Sequence, residues 1–153
     1  MHRIARQSIL LAALLAAACA SAQPPLRDDP WMIVTNPQDR LITWTPTTKQ
    51  ALAARDAARL ALRRVAKRSR DRQATDARDI LQRWHGYRVQ ACGLTENHRR
   101  IIYLNFITPD SPSDTQWKRN ELLNVQDGGF YFWQAKYDPS TGKIISWQAN
   151  FDA

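Results

Sequence analysis

The chain changes its hydrophobic period once, close to Trp84, and that switch limits it to folds that pair a helical layer with a sheet. From Lys49 to Trp84 the sequence is low in Gly and Pro and rich in Ala, Leu and Arg, which are good helix formers. Ala51, Ala54, Ala58, Ala61, Leu62 and Val65 recur at helical spacing and draw one apolar stripe. Thr47 with Gln50 three residues on has the form of a capping box, and Pro46 marks the chain's entry. The stripe lapses where Lys67, Arg68, Arg70 and Arg72 leave almost no apolar face. It resumes at Ala77, Ile80, Leu81 and Trp84. This pattern reads as two helices, or as one long helix bent in its middle.

After Trp84 the period shortens to two. Tyr87 to Cys92 alternates, Gly93 to Asn97 reads as a turn, and Ile101 to Ile107 is β-branched and aromatic, which together predict a hairpin. Thr108 to Asp114 carries Pro109 and Pro112 and reads as a loop, and Trp117 to Asn124 suggests a short helix anchored by Trp117. Asp127-Gly128-Gly129 breaks the chain. Phe130 to Tyr137 and Lys143 to Phe151 then form a second hairpin across Asp138-Pro139-Ser140-Thr141-Gly142, where Pro sets the first φ and Gly takes the left-handed position. Tyr131, Trp133, Ala135 and Tyr137 share one face of the first of these strands, with Phe130, Phe132, Gln134 and Lys136 opposite. In the last strand Ile145, Trp147, Ala149 and Phe151 share a face. The expected fold is α+β: an N-terminal helical segment packed on a four-stranded antiparallel sheet made of two hairpins, with strands only after Gly86.

Helix followed by four antiparallel strands resembles the cystatin-like arrangement. The closing hairpin, Trp133 to Trp147 with Asp138-Pro139-Ser140-Thr141-Gly142-Lys143 at its tip, is similar to that of PepSY-type domains, where a D-x-x-T-G-K/R turn recurs. The region from Trp117 to Ala153 also looks like small exported bacterial proteins. The resemblance covers at most the last 70 residues. It implies a binding or inhibitory module and transfers no catalytic residue. The Q-x-V-x-G motif with which cystatins enter protease clefts is missing before the second hairpin.

The N-terminus reads as an export signal. Arg3 and Arg6 precede an apolar run from Ile9 to Ala18, and Ala20-Ser21-Ala22 supplies small residues for cleavage. The run is about half the length that spans a bilayer. Cys19, after Leu15-Ala16-Ala17-Ala18, resembles the lipidated cysteine of bacterial lipoproteins, with Ala16 where those usually carry Leu. The expected division is therefore a signal peptide over 1–22 with an alternative cut before Cys19, an arm over 23–46, and a single α+β domain over 47–153. The location is periplasmic or secreted, or the outer membrane if Cys19 is lipidated.

Charge is unevenly placed. Lys49 to Trp84 holds 11 basic and 4 acidic residues, whereas the rest of the chain after Ala22 holds 9 and 10. Such a segment is the footprint of an anionic partner. Export sets nucleic acid aside, which leaves an anionic envelope surface met by Arg64, Arg68, Arg70 and Arg72, or a solvated arginine face whose stems cover the helix. Trp84, Trp133 and Trp147 fit core positions. Trp31 and Trp44 either clamp the arm to the sheet or present a contact surface.

Catalytic signals are sparse. The chain has no H-x-x-x-H, C-x-x-C, nucleophile elbow or phosphate-binding glycine loop. Cys92, in a strand, reads as a small buried hydrophobe. His85 falls at a helix end and His98 in a turn, too few ligands for a metal site. No catalytic residue, cofactor or metal is expected. The expected function is an exported non-catalytic envelope protein that binds another macromolecule, through the outer face of its sheet or its hairpin tips. The alternative is a periplasmic inhibitor or immunity-type protein that blocks a hydrolase. A small enzyme with a pocket near His85 or Cys92 is the third reading.

Overall fold

The computed structural model describes residues 31–36, 38–68, 70–109, 117, 119–123 and 129–150. The signal-like segment, Cys19, the arm before Trp31, the glycine break at 127–128 and Phe151 lie outside the described residues.

Two helices pack on one face of a five-stranded mixed sheet. Helix α1 (Thr48–Arg68) and helix α2 (Arg72–Gln82) are followed by a single 3-10 turn, Trp84–Gly86. The strands are β1 (Trp31–Ile33), β2 (Arg88–Glu96), β3 (Arg99–Ile107), β4 (Gly129–Asp138) and β5 (Lys143–Asn150), arranged in sequence order across the sheet.

Both helix starts follow from side chains competing for orphan amides. The Gln50 amide N–H donates to Thr47 Oγ1 at 3.3 Å, and the Thr47 N–H donates back to Gln50 Oε1 at 2.9 Å, so the capping box forms as read. Asp71 Oδ1 accepts from the Ala74 N–H at 2.8 Å and starts α2, which settles the basic stretch as two helices. The α1 stripe buries Ala51, Ala54, Ala58 and Leu62. Small alanines let the helix approach the sheet closely, and large aromatics answer them from below. Trp133 and Phe106 stack with ring centroids 3.6 Å apart, and Tyr87 meets both rings edge-on. The Tyr87 hydroxyl, buried with them, donates to the Phe130 carbonyl at 2.7 Å, and burial pushes its pKa up.

The structure departs from the sequence expectation in four places. It has a fifth strand, β1, which runs parallel to β2 with Trp31 opposite Val89 and Ile33 opposite Ala91. Three residues are too few to show a period, so strand structure before Gly86 was not legible. Trp31 and Ile33 face the helix-side core and Met32 faces the other side. The arm then returns, and Thr43 and Trp44 donate to the Gly93 carbonyl while Trp44 Nε1 donates to the Leu94 carbonyl at 2.8 Å. The tryptophans clamp the arm to the sheet.

The first hairpin also turns later than expected. Gly93 lies inside β2, and the turn is Asn97–His98 alone, with φ of 48° and 62°. Gly93 is required by its neighbour: a Cβ there would run into the Trp44 backbone oxygen and indole. No helix forms between residues 117 and 123 among the described residues; that stretch is a strap of turns and bends. In β5, a bulge opposite Lys136–Tyr137 shifts the pairing. Ile144 joins Trp147 and Ala149 on the core side, and Ile145 is 56% exposed. The second hairpin turns where expected, with Gly142 at φ 69° and Asp138 Oδ1 accepting from the Ser140 amide at 2.8 Å. Hydrogen bonds from Ser140 hold the Asp138 carboxyl below the usual carboxylate range.

Candidate functional site

Three places could meet a ligand: the basic turn between the helices, the end of the sheet near His85, and the face of the sheet away from the helices.

The basic segment divides into two groups. Arg55 and Arg59 lie over the Trp84 ring, their guanidinium carbons 5.8 and 5.5 Å from its centroid. Arg78 donates to the Ala66 carbonyl at the end of α1 and to Thr75 Oγ1. Arg83 donates to the Asp79 carbonyl and lies 4.1 Å over the Phe130 ring. These four arginines cover or tie together the helical layer. Arg63, Arg64, Lys67, Arg68 and Arg70 are different. All five are exposed around the α1–α2 turn, and none bonds to a described residue. Arg72 is exposed beside them and acts electrostatically on Asp76, whose carboxyl burial raises above its ordinary value. The structure therefore brings Arg64, Arg68, Arg70 and Arg72 to one end of the helical layer. Lys67 and Arg68 also sit where the α1 dipole favours cations.

His85 and Cys92 do not converge. His85 is exposed, with Nε2 3.5 Å from Arg59 Nη2. A cleft beside it is bounded by Arg83, Gly86 and Thr108. Cys92 is completely buried on the opposite face of the sheet, and burial with the nearby Asp39 charge pushes its thiol up to about 12. His98 occupies the exposed hairpin turn. Among the described residues, no three His, Cys, Asp or Glu side chains gather into a metal-binding group.

The third place was missed from sequence. On the face away from the helices, Gln90, Asn105, Gln134 and Gln148 stand opposite one another across four strands. The strap crosses the β2 end of this row. Gln90 Nε2 donates to the Trp117 and Glu121 carbonyls at 3.0 and 2.9 Å, and Gln90 Oε1 accepts from the Leu123 N–H at 3.0 Å. Asn105 Nδ2 donates to the Leu123 carbonyl at 2.8 Å. Trp117 packs on Ile107 and Phe132 beneath it, and Arg88 lies 5.3 Å over its ring. The outer face expected to be open is thus covered over β2 and β3. Beside Leu122 and Leu123 of the strap lies a cavity of about 430 Å³, walled by these two with Leu41, Leu94 and Tyr103 and rimmed by Asp39, Glu96, Gln134 and Lys136. Lys136 Nζ pairs with Glu96 Oε1 at 2.7 Å. The sequence signal was the polar residue inside each apolar strand: Gln90 between Val89 and Ala91, and Asn105 between Leu104 and Phe106.

Compared with protein-family models, curated proteins and solved structures, the chain matches none. No helix among the described residues is long and apolar enough to cross a membrane.

Proposed function

We propose that the protein is exported to the cell envelope and serves there as a non-catalytic binding protein, meeting an anionic lipid surface through the α1–α2 turn. The observation that carries this reading is the division of the basic segment. Four arginines are spent on aromatic rings and backbone carbonyls, while Arg63, Arg64, Lys67, Arg68 and Arg70 project from one turn without an acceptor. A solvated face serving only the helices would not need its unpaired cations gathered at one end. The signal-like N-terminus supports the compartment. The cystatin-like and PepSY-like order of elements supports a binding module. The burial of Cys92 removes the best nucleophile from a catalytic reading.

Sedimentation with lipid vesicles tests the proposal. The protein should bind phosphatidylglycerol vesicles and not phosphatidylcholine ones, and binding should fall steeply as salt rises, because exposed charges are screened beyond about 8–10 Å. Changing Arg64, Arg68 and Arg70 together to Gln should weaken binding by up to roughly 100-fold, at about 1 kcal/mol per residue. Equal binding by the triple variant, or no binding at low salt, would sink the proposal.

A further inference from the structure

We infer that the cavity beside the strap is a binding site for a small apolar amine. This inference is independent of the lipid-surface reading, because the cavity lies on the sheet face opposite the helical layer.

The size is right for a small molecule. About 430 Å³ falls within the range of ligand pockets, and the walls have their usual character, apolar with a few polar groups at one side. Leu94 and Tyr103 form the floor, on adjacent strands β2 and β3. Leu123 comes from the strap, whose path is set by the buried Gln90 and Asn105 amides, so this wall is preorganised. Leu41 comes from the arm and is 63% exposed among the described residues, which leaves apolar surface to be buried there. An apolar ligand lying against these four side chains would recover that burial.

Charge selects the ligand's polar end. In a chain with formal net charge +8, this rim holds two carboxylates and one amine. Lys136 is committed to Glu96 at 2.7 Å. Asp39 is left with one acceptor role: its Oδ1 takes the Leu41 N–H at 3.0 Å, which fixes the carboxylate at the cavity's edge, and no cation pairs with it among the described residues. Asp39 lines this cavity together with Leu41 and Glu96. A cationic nitrogen placed there gains a carboxylate partner. A carboxylate ligand would be repelled by the Asp39 charge.

The test uses three probes of one shape: phenylbutylamine, phenylbutanol and phenylbutyrate. Each is titrated into the protein while its backbone amide NMR signals are followed. The amine should bind saturably, shift the Leu94, Tyr103 and Leu123 amides, and bind at least tenfold more tightly than the alcohol. Phenylbutyrate should bind weakest. Asp39→Asn keeps the hydrogen bond to Leu41 and should reduce the amine to the affinity of the alcohol. Leu94→Trp should fill the cavity and abolish binding of all three; if it unfolds the chain, Leu41→Ala should weaken all three in parallel. Equal affinities for the three probes, shifts confined to other surfaces, or an Asp39→Asn variant that still prefers the amine would each overturn the inference.

Discussion

Cys92 shows how one residue's environment decides its chemistry. It is fully buried on β2, and its pKa is pushed up to about 12, first by desolvation and then by Asp39. At pH 8 roughly one thiol in ten thousand is then ionised, and the thiolate is the reactive form. Native protein should therefore resist iodoacetamide at pH 8 and react only after unfolding in urea, as followed by intact mass. Fast native labelling would mean that β2 opens. The alternating strand pattern was enough to read Cys92 as a buried hydrophobe. Gly93, beside it, was not readable in the same way. Its glycine answers Trp44, which is 49 positions away, and a turn was the natural local reading of that residue.

At the scale of elements, local chemistry was legible where a short motif closes on itself. The Thr47–Gln50 capping box and the Asp138–Gly142 turn form as their residues suggest, because donors and acceptors lie within a few positions. The Asn97–His98 turn holds both residues at positive φ. Asn and His tolerate that region better than most side chains, but glycine enters it without the Cβ penalty and is the favoured second residue of such a turn. Replacing His98 by Gly relieves left-handed strain of about 1–2 kcal/mol, less the extra freedom glycine gains when unfolded. We expect a net stabilisation of about 0.5–1 kcal/mol, read as a higher urea midpoint with an unchanged slope. A lower midpoint would mean that the His98 side chain supports the hairpin. The bulge in β5 marks the limit of element-level reading. Period two predicts which residues share a face only while pairing stays in register, and one shift exchanged Ile145 for Ile144.

Among the described residues, two unequal cores lie on the two faces of one sheet. The larger is aromatic and lies under the helices; the smaller joins Ile107, Trp117 and Phe132 under the strap. The buried amide of Gln90 links strap to sheet by satisfying two carbonyls and one N–H. Gln90→Leu leaves those groups unsatisfied at about 1–3 kcal/mol each where they stay buried, so a loss of roughly 2–4 kcal/mol is expected. Hydrogen exchange should quicken over residues 119–123 while the α1 side of the core stays protected. Unchanged exchange in the strap would show that apolar packing alone holds it.

By itself the sequence determined the order from the helical segment to the two hairpins, the first helix start, the tight second hairpin and the uneven charge. All of these arise from interactions a few residues apart or from a period that repeats along the chain. Tertiary structure alone decided four things: the parallel strand at Trp31–Ile33, the glycine at position 93, the strap tied to Gln90 and Asn105, and the cavity beside it. Each depends on groups that meet across tens of positions. A three-residue strand has no period to read, and a polar residue in a strand does not announce the partner that makes its burial affordable. The charge of the basic segment was plain from composition. Which of its arginines are engaged with rings and carbonyls, and which stand free at the turn, depended on where the helices met the aromatic sheet.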